Sequence, residues 1–298
     1  MTLGCATVGD RGQSLIPTKY QVRTGQFILF SNVPLPENPP EVRCLQALER
    51  DLAKELRFQP PAGIDPVEIY VLDHKDAFTH FLKFYYPELP PRRAFFLAQG
   101  SQRVVYTYSN PKLEEDLRHE ATHALLRGAY GDLPLWIDEG LAEYFENDVS
   151  DDETQRSRLA LLTEDLARGW APDLVRLESL TDIRQMSPRD YREAWAWAHL
   201  MLRGGEPDFG HLQAYLNGIR AHPDQPKLST TLGQAGAVRD HLLAHIKKAQ
   251  LTRMAAKPDP AVVPVRLQDA GEEAPAMQAQ PRDRGLWRKL TGWIGLGA

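Results

Sequence analysis

The sequence predicts an α+β protein, with a small mixed sheet and helices in an N-terminal lobe and a mainly helical C-terminal lobe. Three observations carry this. Short runs rich in β-branched and aromatic residues, among them Val67–Leu72 and 103–108, alternate with segments of helical spacing in the first third of the chain. After Asn110 such runs cease and helical periodicity takes over. From about Ala255 the composition shifts to Pro, Ala, Gln and Glu, as in a disordered linker.

Taken in order, residues 1–18 are Gly-rich and polar and are expected to be flexible. A strand is expected over 21–31, with Val22, Phe27, Leu29 and Phe30 among its apolar residues, before Pro34, Pro36, Pro39 and Pro40 break the chain. Over 41–56, Val42, Leu45, Leu48, Leu52 and Leu56 share a helical face. Val67–Leu72 is a short strand, Lys75–Tyr85 a helix ending before Pro87, and 93–97 with 103–108 a hairpin around Gly100-Ser101. These elements make up an N-terminal lobe, 19–110.

A helical lobe follows over 111–252. Its first helix is expected to start at Asn110-Pro111, a suitable cap and first position, with Glu114, Glu115 and Asp116 on the favourable side of the helix dipole, and to stop near Gly128. Further helices are expected over 135–147, 152–168, 189–203, 207–219 and 237–250. A disordered linker, 253–281, leads to a short amphipathic basic tail, 282–298. There Leu286, Trp287, Leu290, Trp293 and Ile294 recur at helical spacing among Arg282, Arg284, Arg288 and Lys289. Such a tail suits a membrane surface, a partner, or packing on its own domain.

Composition narrows the function classes. Of the 298 residues, 42 % are hydrophobic and 25 % charged, as in an ordinary globular protein. The net charge of -5 lacks the basic surplus of a nucleic-acid binder. No apolar run reaches the roughly 18 residues of a membrane span. The two cysteines, Cys5 and Cys44, cannot build a disulfide framework, and no CxxC is present. Thr2-Leu3-Gly4-Cys5 matches the end of a lipoprotein signal without the apolar stretch that precedes one. Lipidation of Cys5, and an envelope location, is therefore an expectation only for a start upstream of Met1; otherwise the expected location is cytoplasmic.

The chemistry centres on His119-Glu120-Ala121-Thr122-His123. On a helix, positions i and i+4 share a face, so both imidazoles can reach one ion. Glu120 directly follows the first ligand and is placed to take a proton from a water the ion activates. The neighbouring Leu117, Ala121, Ala124, Leu125 and Leu126 predict a buried helix, in which two histidines and a glutamate need partners. A second segment, 135–146, carries acids in apolar surroundings. A catalytic zinc has three protein ligands and one open position, and Glu139 is the best third ligand. Gly140 is expected to let the two helices approach closely. Glu143, one turn on, is expected to accept a hydrogen bond from the spare ring N–H of a ligand histidine. Glu146 is expected to face solvent, Asp138 either to stand behind a ligand ring or, by preference, to face solvent, and His241 and His245 to sit on a polar helix face.

His119, Glu120, His123, Trp136, Glu139, Gly140 and Tyr144 together resemble the gluzincin zinc metallopeptidases, including the bacterial peptidase MA-like proteins, over about 113–145. The resemblance implies a zincin-like fold, one zinc per chain held by His119, His123 and Glu139, Glu120 as general base, and a peptide or protein substrate. The gap between His123 and Glu139 is shorter than in the aminopeptidase branch, and no G-x-M-E-N motif precedes the zinc helix. Downstream, the segment from Tyr191 to Ala198 is similar to the helix whose leading tyrosine stabilises the oxyanion in those enzymes, which makes Tyr191 a candidate and leaves Tyr144 as packing. In such folds a strand ahead of the zinc helix pairs with extended peptide, a role open to 93–97 or 103–108. The competing expectation is an envelope-associated scaffold or binding module whose zinc site is structural or vestigial.

Overall fold

Alternation of buried and half-exposed side chains, as in Phe27–Ser31 and Val67–Leu72, lets each strand pack one face on the core. A computed structural model describes residues 15–222 and 224–255. Its fold is α+β. Five strands, β1 (Tyr20–Thr24), β2 (Phe27–Ser31), β3 (Val67–Leu72), β4 (Ala94–Gln99) and β5 (Gln102–Tyr108), form one sheet in the order β1-β2-β3-β5-β4. β1 and β4 are its two edges, each antiparallel to its neighbour, and the β2-β3-β5 centre is parallel. The segment 21–31, expected as one strand, is a hairpin, because Gly25 takes φ +51° and turns the chain back. A side chain there would also meet the Glu49 carboxylate.

Helix α1 (Pro40–Glu55) buries Val42, Leu45, Leu48 and Leu52, and α2 (Lys75–Tyr85) buries Phe78, Phe81 and Leu82. The α2 residues cluster with Phe95 and Leu97 of β4, whereas Phe96 and Ala98 join the main core, so both faces of this edge strand are covered. The remaining helices are α3 (Leu113–Tyr130), α4 (Leu135–Phe145), α5 (Asp152–Ala167), α6 (Leu174–Leu177), α7 (Pro188–Arg203), α8 (Glu206–Ala221), α9 (Leu228–Leu232) and α10 (Ala235–Ala255). One hydrophobic cluster runs from Phe27 through the sheet and helices to Ile246. The short α6 and α9, and a 3-10 turn at Ile183–Gln185, are absent from the periodicity because segments of three to five residues carry too little pattern.

Two details of α3 depart from expectation. Its first helical residue is Leu113, while Asn110 instead accepts a bond from the Lys112 amide. The helix also runs through Gly128 and ends at Gly131, which takes φ +83°. Gly128 is small for a packing reason: a Cβ there would stand 2.1 Å from the Arg103 guanidinium, which crosses the helix to donate to the Ala124 carbonyl at 3.0 Å. Residues 1–14, with Cys5 and any pairing of it, and 256–298, with most of the expected linker and the basic tail, lie outside the described residues. Of the N-terminal segment expected to be flexible, Leu15 and Ile16 pack on the α2 cluster, and 253–255, expected as linker, belong to α10. Cys44 is a free, buried thiol whose pKa burial pushes up to about 12. Among the described residues no helix is long and apolar enough to cross a membrane.

Candidate metal centre

The centre is built by α3 and α4, joined by the short connection 131–134. α3 lies between the sheet, α1 and α4 and buries residues around most of its circumference. Its alignment with α4 is fixed by Arg118. The Arg118 Nε donates to the Phe145 carbonyl at 2.7 Å, and its Nη2 to the Asn147 carbonyl at 2.9 Å and Asp51 at 2.7 Å. This guanidinium satisfies carbonyls at the C-terminal end of α4, where a cation also meets the helix dipole favourably. It stands one residue before His119 and so sets where that ring lies.

The structure brings His119, His123 and Glu139 together. Their facing atoms form a triangle: His119 Nε2 to His123 Nε2 is 3.2 Å, His119 Nε2 to Glu139 Oε2 is 3.6 Å, and His123 Nε2 to Glu139 Oε2 is 3.8 Å. A tetrahedral ion with bonds of about 2.0–2.1 Å separates adjacent donor atoms by about 3.3–3.4 Å, so the three donors fit a zinc-sized ion. The His119 side chain is 20 % exposed and those of His123 and Glu139 10 % and 6 %, so the triangle opens to solvent on the His119 side.

The far sides of both rings meet acids. His119 Nδ1 is 3.1 Å from Glu146 Oε2, and His123 Nδ1 is 2.9 Å from Asp138 Oδ2. The first is a hydrogen bond; in the second the ring N–H is not aimed along the contact, which therefore acts through charge. These partners place the ring proton on Nδ1 and leave each Nε2 lone pair for an ion. Burial opposes a charge on His119, but hydrogen bonds to Glu139 and Glu146 and the charge of Glu120 outweigh it and hold its pKa well above the usual value. For His123, burial is likewise outweighed by Asp138 and Glu139, and the pKa rises to about 9. Despite burial, the two histidines hold the Glu139 carboxyl below its ordinary range.

Here the expected ring partner is corrected. Glu143 meets neither ring; its Oε2 accepts from Arg158 Nη1 at 2.8 Å. Arg158, on α5, also binds Glu146, so a single guanidinium lies against both acids. His119, Glu143 and Glu146 could themselves surround an ion, but Arg158 already supplies the positive charge there. The reason lies in direction. α4 runs antiparallel to α3, so His123 meets Asp138 near the start of α4, and His119 meets Glu146 near its end. Glu146 is therefore not the solvent-facing acid expected, and of the two positions open to Asp138 the structure shows the one behind a ring, not the preferred solvent-facing one. Glu146 was legible in principle, since it is seven residues from Glu139 and two helical turns return to one face. Arg158 had no local signal, because α5 reaches the site only through tertiary packing.

Gly140 does allow close approach, but of a different helix. A Cβ on it would lie 2.6 Å from the Ala194 carbonyl oxygen of α7, not against α3. One turn before Ala194, Tyr191 is partly buried, and its phenol is held protonated by burial and by the charges of Glu139 and Glu143. Tyr144 is packed, its hydroxyl accepting from Arg203 Nε at 2.7 Å. Glu120 is half-buried; burial raises its pKa against the opposing charges of His119, His123 and Arg92. Of the two strands open to peptide pairing, β5 is bonded on both sides and only β4 has a free edge.

Among the other histidines, His74, His199, His241 and His245 have structural partners. His241 Nε2 is 2.8 Å from Asp208 but its side chain stays exposed, as expected of a polar helix face, whereas His245 is partly buried, with Nε2 2.7 Å from His199 Nδ1, and docks α10 on α7. His74 caps α2 by accepting from the Ala77 amide at 3.1 Å.

No family model and no curated protein matches the chain.

Proposed function

We propose that the protein is a zinc-dependent peptide hydrolase of gluzincin type. The observation that supports this most is the orientation of the two rings. His119 and His123 turn their Nε2 atoms toward each other and toward Glu139, while acids meet both Nδ1 atoms. Without an ion the two facing nitrogens, 3.2 Å apart, must share one proton or, with both rings charged, repel each other; an ion at the centre of the triangle removes that conflict.

His119, His123 and Glu139 would hold one zinc per chain, which when bound supplies Lewis acidity, polarising a peptide carbonyl and acidifying a water. Glu120 is the base. Its raised pKa favours accepting the proton of the attacking water and returning it to the leaving amine. Tyr191, kept protonated, donates to the oxygen that gains charge as the carbonyl becomes tetrahedral. Glu146 and Asp138 orient the ligand rings, and Arg158 keeps Glu143 and Glu146 from repelling each other. The free edge of β4 is the place for an extended substrate to add a strand.

Glu120→Gln keeps the shape and removes the base. The variant is expected to fold, to retain one zinc per chain, and to lose nearly all chelator-sensitive cleavage of an unfolded protein substrate. Wild-type protein that holds zinc but cleaves nothing across a broad peptide library would instead support a scaffold or binding module. Cleavage that persists in Glu120→Gln would place the chemistry elsewhere.

A further inference from the structure

Arg92 and Arg93 are adjacent in sequence and opposite in circumstance. Arg93 is fully engaged: its Nη2 donates to Asp116 at 2.7 Å and to Glu115 at 3.1 Å, and its Nε to Asp116 at 3.0 Å. Its carbonyl accepts from Thr107 Oγ1 at 3.2 Å. Arg92 makes no hydrogen bond or ion pair among the described residues, although it is half-buried and its Nε is fully covered. The chain on either side is held, by Pro90 and Pro91 before it and by the bonds of Arg93 after it.

The bonds of Arg93 to Asp116, one turn before Glu120 on α3, bring this stretch of chain to the metal centre, and the charge of Arg92 is felt by Glu120, Glu139 and Tyr191. Neither acid is its ion-pair partner. Glu139 turns an oxygen to the two histidines, and Glu120 is the proposed base. A covered guanidinium Nε without an acceptor is unfavourable, and Glu120 and Glu139, whose carboxylates feel the charge of Arg92, make no ion pair with it. What balances it is a planar anion that presents two oxygens, the geometry a guanidinium binds best.

We propose that Arg92 is a specificity-determining residue that binds a carboxylate of the peptide substrate, either the chain's terminal carboxylate or an acidic side chain next to the cleaved bond. The placement of that carboxylate beside a scissile bond rests on the hydrolase reading; the binding of a carboxylate by Arg92 does not.

Binding measurements separate the two. The full chain is titrated by calorimetry with N-acetyl-Ala-Ala-Phe, its C-terminal amide, N-acetyl-Ala-Asp-Phe-amide and the Asn counterpart of the last. Metal-free protein is used first, then zinc-loaded Glu120→Gln, which prevents turnover. One acid-containing peptide is expected to bind roughly ten- to a hundredfold tighter than its neutral counterpart in both states. The pair that shows the preference identifies the source of the carboxylate. Arg92→Gln is expected to remove the preference, and Arg92→Lys to restore part of it, with zinc content and circular dichroism unchanged. Equal binding of acid and amide in both pairs, binding of none of the peptides, or a preference that survives in Arg92→Gln overturns the proposal. Should Arg92→Gln fail to fold, the wild-type comparison and Arg92→Lys still decide. An Arg92-dependent preference in a protein that hydrolyses nothing would leave this inference standing and remove the hydrolase reading.

Discussion

The carbonyl oxygen of Ala194 occupies the space that a side chain at Gly140 would need. An ideal Cβ at position 140 would lie 2.6 Å from that oxygen and 2.9 Å from its carbon, well inside contact distance and against backbone that cannot rotate away. Gly140 follows Glu139, and Ala194 lies one turn beyond Tyr191. The same close approach therefore sets the depth of a metal ligand and of the candidate oxyanion donor.

Gly140→Ala is accordingly expected to destabilise the fold by about 1–3 kcal/mol, the range for overpacking a well-packed site. It should also push α7 outward and lower turnover more than zinc affinity. Urea unfolding, zinc content and turnover measured on one preparation check this. A variant as stable as wild type would mean that the helices separate freely.

Zinc is expected at one per chain. His123→Ala and Glu139→Ala each remove one corner of the donor triangle and should lose it, whereas His241→Ala should keep it because His241 pairs with Asp208 and belongs to neither candidate donor group among the described residues. Elemental analysis after purification without chelators decides, and equal zinc in all four proteins would rule out this ligand set.

The acids behind the rings should rank in a particular order. Glu146→Ala removes the bond to His119 Nδ1 and is expected to weaken zinc binding about 10–100-fold. Glu143→Ala removes only a partner of Arg158 and should weaken it less. Chelator competition measures both, and the reverse order would restore Glu143 as the ring partner.

Tyr191→Phe tests the donor alone. Zinc content and stability should be unchanged, and turnover should fall about 10²–10³-fold, the loss for one oxyanion donor. An unchanged rate would leave Tyr191 as a packing residue on α7.

Acid should weaken the docking of α10. His245 is held neutral chiefly by burial, and its pKa falls to about 4 despite the opposing charge of Asp208, with His241 and Lys248 adding to the fall. His199 faces it at 2.7 Å. The unfolded chain takes up this proton near pH 6.5 and the folded chain only near 4, so stability falls as pH drops through that window. His245→Gln should flatten the loss, by at most about 3 kcal/mol. Melting temperatures of both proteins between pH 7 and 4 would show it, and parallel curves would count against it.

Much of the α+β order is written locally. Periods of about two and 3.6 residues gave β3, α1 and α2 close to their observed limits, because each buries a regular face of its own; α4 and α7 also lie near their expected limits but are buried on nearly every side. His119, Glu120, His123 and Glu139 were legible for a related reason: spacing along a helix dictates which side chains converge. What sequence alone could not decide was everything that depends on a second element arriving. The turn at Gly25, the partner of Gly140, the assignment of Glu146 and Asp138 to the rings, Arg158 from α5 and the covered, unpartnered Nε of Arg92 are of this kind. Periodicity reports which face of a helix is buried but not what covers it, nor in which direction the covering element runs. That direction, antiparallel for α3 and α4, placed Glu146 and not Glu143 behind His119.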